Sequence, residues 1–176
     1  MDIFVPDEFK PLWVFDDEHP IVKYPADVLR QVANPVERVN KKVREVIEKM
    51  TKAMRQANGI GLAAPQMGVP QRVILIAPEG MKVTALVNPT VTWSDGEAVG
   101  QEGCLSLPGL YGDVKRPARV EVRALDPYGK PITLKLEGMP ARVVQHEIDH
   151  LDGVLFIDKA DPATLHWSWP AGADAE

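Results

Sequence analysis

"VVQHEIDHLDG", residues 143–153, holds two histidines four apart, with a glutamate directly after the first. At about 100° per residue, Val143, His146, Glu147 and His150 share one helical face, and Val144, Ile148 and Leu151 share an adjoining one. Gln145, Asp149 and Asp152 fall on the far side, and Gly153 is placed to end the helix. A pair at i and i+4 stands one turn apart, so both imidazoles can reach a single ion. Glu147 then sits beside that ion, where a general base would collect a proton from water. The motif H-E-x-x-H also arises by chance, so alone it leaves a metal site and a charged helix equally open. Buried without metal or partners, however, these polar groups would be costly.

A catalytic divalent ion usually takes three protein ligands and keeps one position open, so a third donor must come from elsewhere. Cys104, the only thiol, lies in "GQEGCLSLPG" (100–109) and is the best candidate, because thiolate and imidazole together suit zinc, iron, nickel or cobalt. A lone cysteine is more often an inert core residue. Here Gly100, Gly103 and Gly109 surround it and Pro108 stiffens the exit, a composition that lets a ligand approach the backbone. A third stretch, "NGIGLAAPQMG" (58–68), offers small residues and the neutral amide of Gln66. By itself it reads as a helix end entering a strand. It is no phosphate loop, since no Gly-Lys-Ser/Thr follows.

Around these stretches the periodicity changes along the chain. In "YPADVLRQVANPV" Asp27 can cap a short helix that Pro35 ends. Val39, Val43, Val46, Ile47, Met50 and Met54 recur at three and four, giving one apolar helical face closed by Asn58 and Gly59. "RVILIA", "ALVNPTVTW", "ARVEVRAL" and "ITLKLEG" read as strands, the last two joined by a turn at "DPYGK", and "VLFI" reads as a short buried strand. Helices and strands segregated in this way favour an α+β fold over alternating βαβ units. Residues 1–20 read as an extension broken by prolines, whose aromatic residues either cover exposed core or mediate self-association. Residues 161–176 read as a capped turn at Asp161 and Pro162 followed by a frayed, small-residue tail.

With 176 residues, 45% of them hydrophobic, the chain can bury one core of ordinary size. Its net charge of -5 gives no basic footprint, so no direct nucleic-acid site is expected. One cysteine excludes an intrachain disulfide and suggests a reducing compartment. No signal peptide and no run near the roughly 18 apolar residues of a membrane span are evident, and a cytoplasmic location is expected.

Taken together and in order, "GIGLAAPQ" (59–66), "EGCLSLPG" (102–109) and "QHEIDHLDG" (145–153) resemble the three signature motifs of the peptide deformylase family. The resemblance runs over roughly residues 20–160. It implies an α+β fold with antiparallel β-sheets packed around a central metal-binding helix, and a catalytic domain at 21–160 between an extension at 1–20 and a short tail at 161–176. It further implies one divalent ion, ferrous iron first, with Zn2+, Ni2+ or Co2+ able to substitute, held by Cys104, His146 and His150. Glu147 is then the acid and base, while Gln66 and the backbone N–H of Leu105 stabilise the oxyanion. The implied activity is removal of the N-formyl group from the first methionine of newly made polypeptides, releasing formate.

By the same resemblance the peptide pairs with the backbone of Ile60 and Gly103 beside Gly61. Its methionine enters a pocket formed by Glu102, Met139, Arg142, Val143 and His146. Arg142 either pairs with Glu102 while its stem lines that pocket or stands in solvent; the sequence leaves both open. Many bacterial members dock on the ribosome through a C-terminal helix, for which residues 154–176 offer no clear counterpart. Two other readings compete. A general zinc metalloprotease would take its third ligand downstream, where His166 stands, and would leave "EGCLSLPG" without a task. A metal-stabilised binding module without catalysis would tolerate loss of Glu147.

Overall fold

The apolar periodicity of residues 39–54 becomes helix α1 (Lys41–Gln56) in the computed structural model, which describes residues 1–171. Asn40 caps it by accepting the N–H of Val43, and Asn58 leaves it at a positive φ of 54°. The strands that follow form two antiparallel sheets. The larger is ordered β1 (Gly61–Ala63), β2 (Val73–Ile76), β3 (Thr84–Asp95), β6 (Arg119–Leu125) and β7 (Pro131–Glu137). The smaller is ordered β4 (Ala98–Cys104), β5 (Leu107–Arg116) and β8 (His166–Trp167). Helix α2 (Met139–Leu151) contains both histidines and packs between the sheets. Pro140 in its first turn needs no intrahelical N–H partner, which suits that position.

Every residue of β2 is buried, because at this strand the larger sheet is covered on both faces. Ile74 and Ile76 pack against Ala141, Val144, Ile148 and Leu151 of α2. Val73 and Leu75 turn the other way, onto Val43, Met50 and Met54 of α1. Complete burial of one such side chain is worth roughly 1.5–3 kcal/mol, so this two-sided packing fixes where α2 lies. A third cluster joins Leu107, Leu110 and Val114 of β5 to Leu29, Leu155 and Phe156.

The α+β architecture expected from the sequence is present, with several local differences. "VLFI" is no strand: Phe156 begins a 3-10 turn (Phe156–Asp158), which needs no neighbouring strand to satisfy its backbone. Asp27 opens a 3-10 turn (Asp27–Arg30) instead of capping it, and the turn ends well before Pro35. The glycine-rich stretch around Cys104 is a strand pair, β4 with β5, reversing through Leu105 and Ser106. The expected far side of α2 is not free in solvent: Gln145 donates to the carbonyl of Pro117 and Asp149 pairs with Arg116. Asp161 does cap its turn, accepting from Ala163 N–H. Beyond it, His166 and Trp167 pair with β5 instead of fraying, while residues 172–176 of the expected tail lie outside the described residues. Among the described residues no helix is long and apolar enough to cross a membrane.

Gly153 ends α2 at φ 72°, and a Cβ there would lie 2.5 Å from the carbonyl oxygen of Arg30. Gly68 has a similar φ of 75° but open space around it. Chemical denaturation should therefore show Gly153→Ala losing more stability than Gly68→Ala, with about 1–3 kcal/mol for the positive-φ residue itself as the common part. Equal losses would mean that the contact with Arg30 yields without cost.

Candidate metal centre and cleft

Cys104 ends β4, and the turn after it points the thiol at α2. Its Sγ lies 3.4 Å from Nε2 of His150. One ligand atom each from Cys104, His146 and His150 can be chosen so that all three lie within 4.8 Å of one another. Sulfur and nitrogen ligands at ordinary zinc bond lengths and a tetrahedral angle stand roughly 3.5 Å apart, so the spacing suits a shared ion. His146 Nδ1 meets Glu102 Oε1 at 2.8 Å, which turns Nε2 toward the centre and fixes the ring. Phe156 stacks on the same ring, with centroids 6.2 Å apart.

Glu102 is the hub of the arrangement. Arg116 grips it through Nε and Nη2 at 2.6 and 2.9 Å, and Arg142 donates to it at 2.7 Å. Arg142 is thus buried and paired, not solvated, and it also donates to the carbonyls of Val114 and Ala98. Arg116 reaches on to Asp149, whose same carboxylate oxygen Lys159 also meets. Burial alone would raise the Glu102 carboxyl, but hydrogen bonds from His146 and Arg116 hold it down at about 2. Burial would lower His146, yet the neighbouring Cys104 thiol, its bond to Glu102 and the nearby Glu147 charge raise it to about 10. His150 moves the opposite way, well below its usual value, through burial and the positive charges of His146 and Arg116. One imidazole thus holds positive charge against the thiol, where a bound cation would replace the proton.

Glu147 stands beside this group, with Oε1 3.9 Å from His146 Nε2. Burial raises its carboxyl to about 7. Its Oε2 is buried with no hydrogen-bond partner, the condition of a group arranged to meet something polar, and the Nδ1 of His150, on the ring edge away from Cys104, is also unpartnered. Gln66 is oriented without ambiguity. Ala63 N–H must meet an acceptor, so Oε1 takes that bond at 3.0 Å and the NH2 faces Ser106 Oγ and Cys104 Sγ, at 3.1 and 3.5 Å. The donor set of one thiol, two imidazoles and a neighbouring carboxyl fits one divalent ion.

A cleft of about 700 Å³ opens above these residues. Ile60, Gly61, Gly103, Leu105, Met139, Arg142 and Val143 line it with Gln66, Glu102, Cys104, His146 and Glu147. Of the residues that the family resemblance assigns to the site, His150 alone is absent from the lining, and it is buried beneath. Both β1 and β4 are edge strands of their sheets, and both border the cleft. The Ile60 carbonyl is already engaged by Ala77 N–H. Sequence reasoning missed Arg116, although Leu110, Gly112, Val114 and Arg116 alternate inward along β5 and a charge at such a position signals a buried partner. His166 is exposed on β8 and takes no part in the cluster.

An ion with three protein ligands, beside a buried carboxyl and an apolar cleft, is the centre of a metal-dependent hydrolase. Comparison with known proteins narrows the class. Residues 18–165 match the polypeptide deformylase family. A peptide deformylase from Symbiobacterium thermophilum is 48% identical over 79% of this chain, which spans about two thirds (65%) of that relative's length. The crystal structure of peptide deformylase from Thermus thermophilus superposes with a TM-score of 0.78 at 44% identity, covering 82% of this chain and 87% of that one. A class I type b enzyme from Acinetobacter baumannii, solved with Met-Ala-Ser bound, gives 0.76 at 36% identity over 80% of this chain and 97% of that one. The chain belongs to the polypeptide deformylase family, enzymes that use a single metal ion to remove the N-formyl group from newly made peptides.

Glu102→Gln keeps the shape of the hub but removes the charge that fixes His146. Competition with a chromophoric chelator should show Zn2+ or Co2+ affinity falling about 10–100-fold, the usual cost of losing a ligand's supporting partner. Unchanged affinity would mean that α2 and Phe156 hold the ring unaided.

Proposed function

We propose that this chain deformylates N-formylmethionyl peptides in the cytoplasm, with ferrous iron as the working ion and Cys104, His146 and His150 as its ligands. What carries the reading is the meeting of these three donor atoms, from β4 and α2, beside the buried Glu147 carboxyl. The catalytic domain is residues 21–160. When bound, the ion supplies Lewis acidity, polarising the formyl carbonyl and acidifying water.

The chain's own groups do the rest. Glu147, buried and with its carboxyl near neutrality, takes the proton of the attacking water and returns it to the departing amine, so that formate and a free N-terminus leave. A cation nearby draws this carboxyl toward its charged form, ready to accept. Negative charge grows on the formyl oxygen as water adds. The Gln66 NH2, held in place by Ala63, and the Leu105 N–H at the β4–β5 turn are the donors assigned to that charge. Each such donor is typically worth about 3–4 kcal/mol.

The substrate lies extended between the edges of β1 and β4, adding its backbone to strands that lack a neighbour on that side. Ile60 offers its N–H, because its carbonyl is taken, and Gly103 offers its backbone on the opposite wall. The methionine side chain enters between Met139, Val143 and the Arg142 stem, over Glu102 and His146. The Met-Ala-Ser complex of the Acinetobacter baumannii relative supports a cleft that accepts a methionyl peptide.

Formate release from a formyl-Met peptide tests these roles. Glu147→Ala should keep the ion and lose about 10²–10⁴-fold in kcat, whereas Cys104→Ala should lose both ion and turnover. Full turnover in Glu147→Ala would remove the assigned base, and cleavage of internal peptide bonds would favour a general protease. Gly61→Ala supplies a subtler check: its Cβ would lie 2.8 Å from Glu147 Oε1 and 2.9 Å from Val143 Cγ1. It should retain the ion but lower kcat by displacing the carboxyl.

A further inference from the structure

The family match ends at residues 18 and 165, yet the wall of the cleft continues beyond both limits. Pro11, Leu12 and Val14 from one end and Pro170 from the other line the same cavity as Cys104 and Glu147. They are held there by a joint anchorage on Pro108 and Gly109, which follow the metal-bearing turn. The Trp13 indole donates to the Pro108 carbonyl at 2.9 Å, and Ser168 N–H donates to the Gly109 carbonyl at 2.8 Å. Phe9 is buried over Gly109, with its ring 5.3 Å from Trp167 and 5.4 Å from Trp169. A Cβ on Gly109 would lie 2.9 Å from Phe9 Cδ1, so the glycine makes room for the docked segment.

From this geometry we infer that Pro11, Leu12, Val14 and Pro170, anchored by Phe9, Trp13 and Ser168, form an apolar subsite, which selects apolar side chains at the second and third positions of the substrate peptide. The inference rests on the deformylase reading of the cleft. The occupant follows from continuity, since a chain whose first residue sits at the metal group extends through a cavity that Pro11, Leu12, Val14 and Pro170 wall on one side, with Glu18, His19, Lys23 and Gln101 also in its lining. That side presents carbon, and it is fixed by hydrogen bonds to the successive carbonyls of Pro108 and Gly109. Its yield is discrimination: burying one apolar side chain of the peptide against it is worth about tenfold or more in binding.

The test uses the full, metal-loaded chain and compares formyl-Met-Leu-Phe with formyl-Met amide, which ends before the wall. Leu12→Ser and Val14→Ser should each lower the ratio of kcat/KM for the long substrate to that for the short one, by about tenfold for Leu12. The loss should lie in KM. Leu12→Met, which keeps an apolar surface, should restore the ratio. Calorimetric titration of the product peptide Met-Leu-Phe supplies a readout independent of turnover: its affinity should fall with Leu12→Ser in parallel with the kinetic ratio. An unchanged ratio and affinity in both serine variants, or equal losses on long and short substrates, would overturn the subsite. A wild type that binds Met-Leu-Phe through Leu12 but releases no formate would instead sink the deformylase reading and leave the wall standing.

Discussion

One buried carboxylate holds the centre together. Glu102 sits on β4, two residues before Cys104, and binds Arg116 of β5 with Arg142 and His146 of α2. Without that junction the smaller sheet would meet the metal helix mainly through apolar contacts, which do not fix distances to a fraction of an ångström. With it, the thiol at the end of β4 is brought to 3.4 Å from the second imidazole. The ligand from one sheet and the ligands from the helix are therefore parts of one hydrogen-bonded unit.

Such a cluster is a poor way to gain stability. Each buried charge loses its hydration, and replacing ion pairs by apolar residues of similar volume is often neutral or favourable. Arg142 also satisfies the Val114 and Ala98 carbonyls and Arg116 reaches Asp149, so few of their donors are left unmatched. What the cluster supplies is orientation: a carboxylate held at about 2 remains an acceptor at any physiological pH, takes the proton on His146 Nδ1 and so leaves Nε2 turned to the centre. Stability comes from elsewhere, in the two-sided burial of β2 between α1 and α2.

The centre was more readable in the sequence than the frame around it. His146, Glu147 and His150 belong to one helix, so local periodicity alone places them together, and Cys104 stands out as the only thiol. The β4–β5 pair was hidden because glycines dilute its apolar signal and strand pairing is decided by partners far along the chain. Arg116 was invisible for the same reason: it faces Glu102 only once the register of that pair is set. "VLFI" was misread because four apolar residues carry too little periodicity to separate a strand from a buried turn. The open choice for the N-terminal aromatics resolves for Phe9, which covers core, while Phe4 and Phe15 stay exposed.

The glycines of the motifs are the counterpart of the functional side chains. A Cβ on Gly59 would strike Leu105, one on Gly61 would strike Glu147, and one on Gly100 would press on the Arg142 guanidinium at 3.0 Å. Gly103 leaves room for the Tyr111 ring in the same way. None of these four positions has a positive φ, so no turn demands glycine there. The requirement is space: two sheet edges must close on one helix while a carboxyl, a guanidinium and a peptide backbone lie between them. At Gly61 and Gly100 the hydrogen lets a strand lie closer to α2, where the Glu147 carboxyl and the Arg142 guanidinium fill the volume that a methyl would have taken, while Gly59 and Gly103 make the same room for Leu105 and Tyr111.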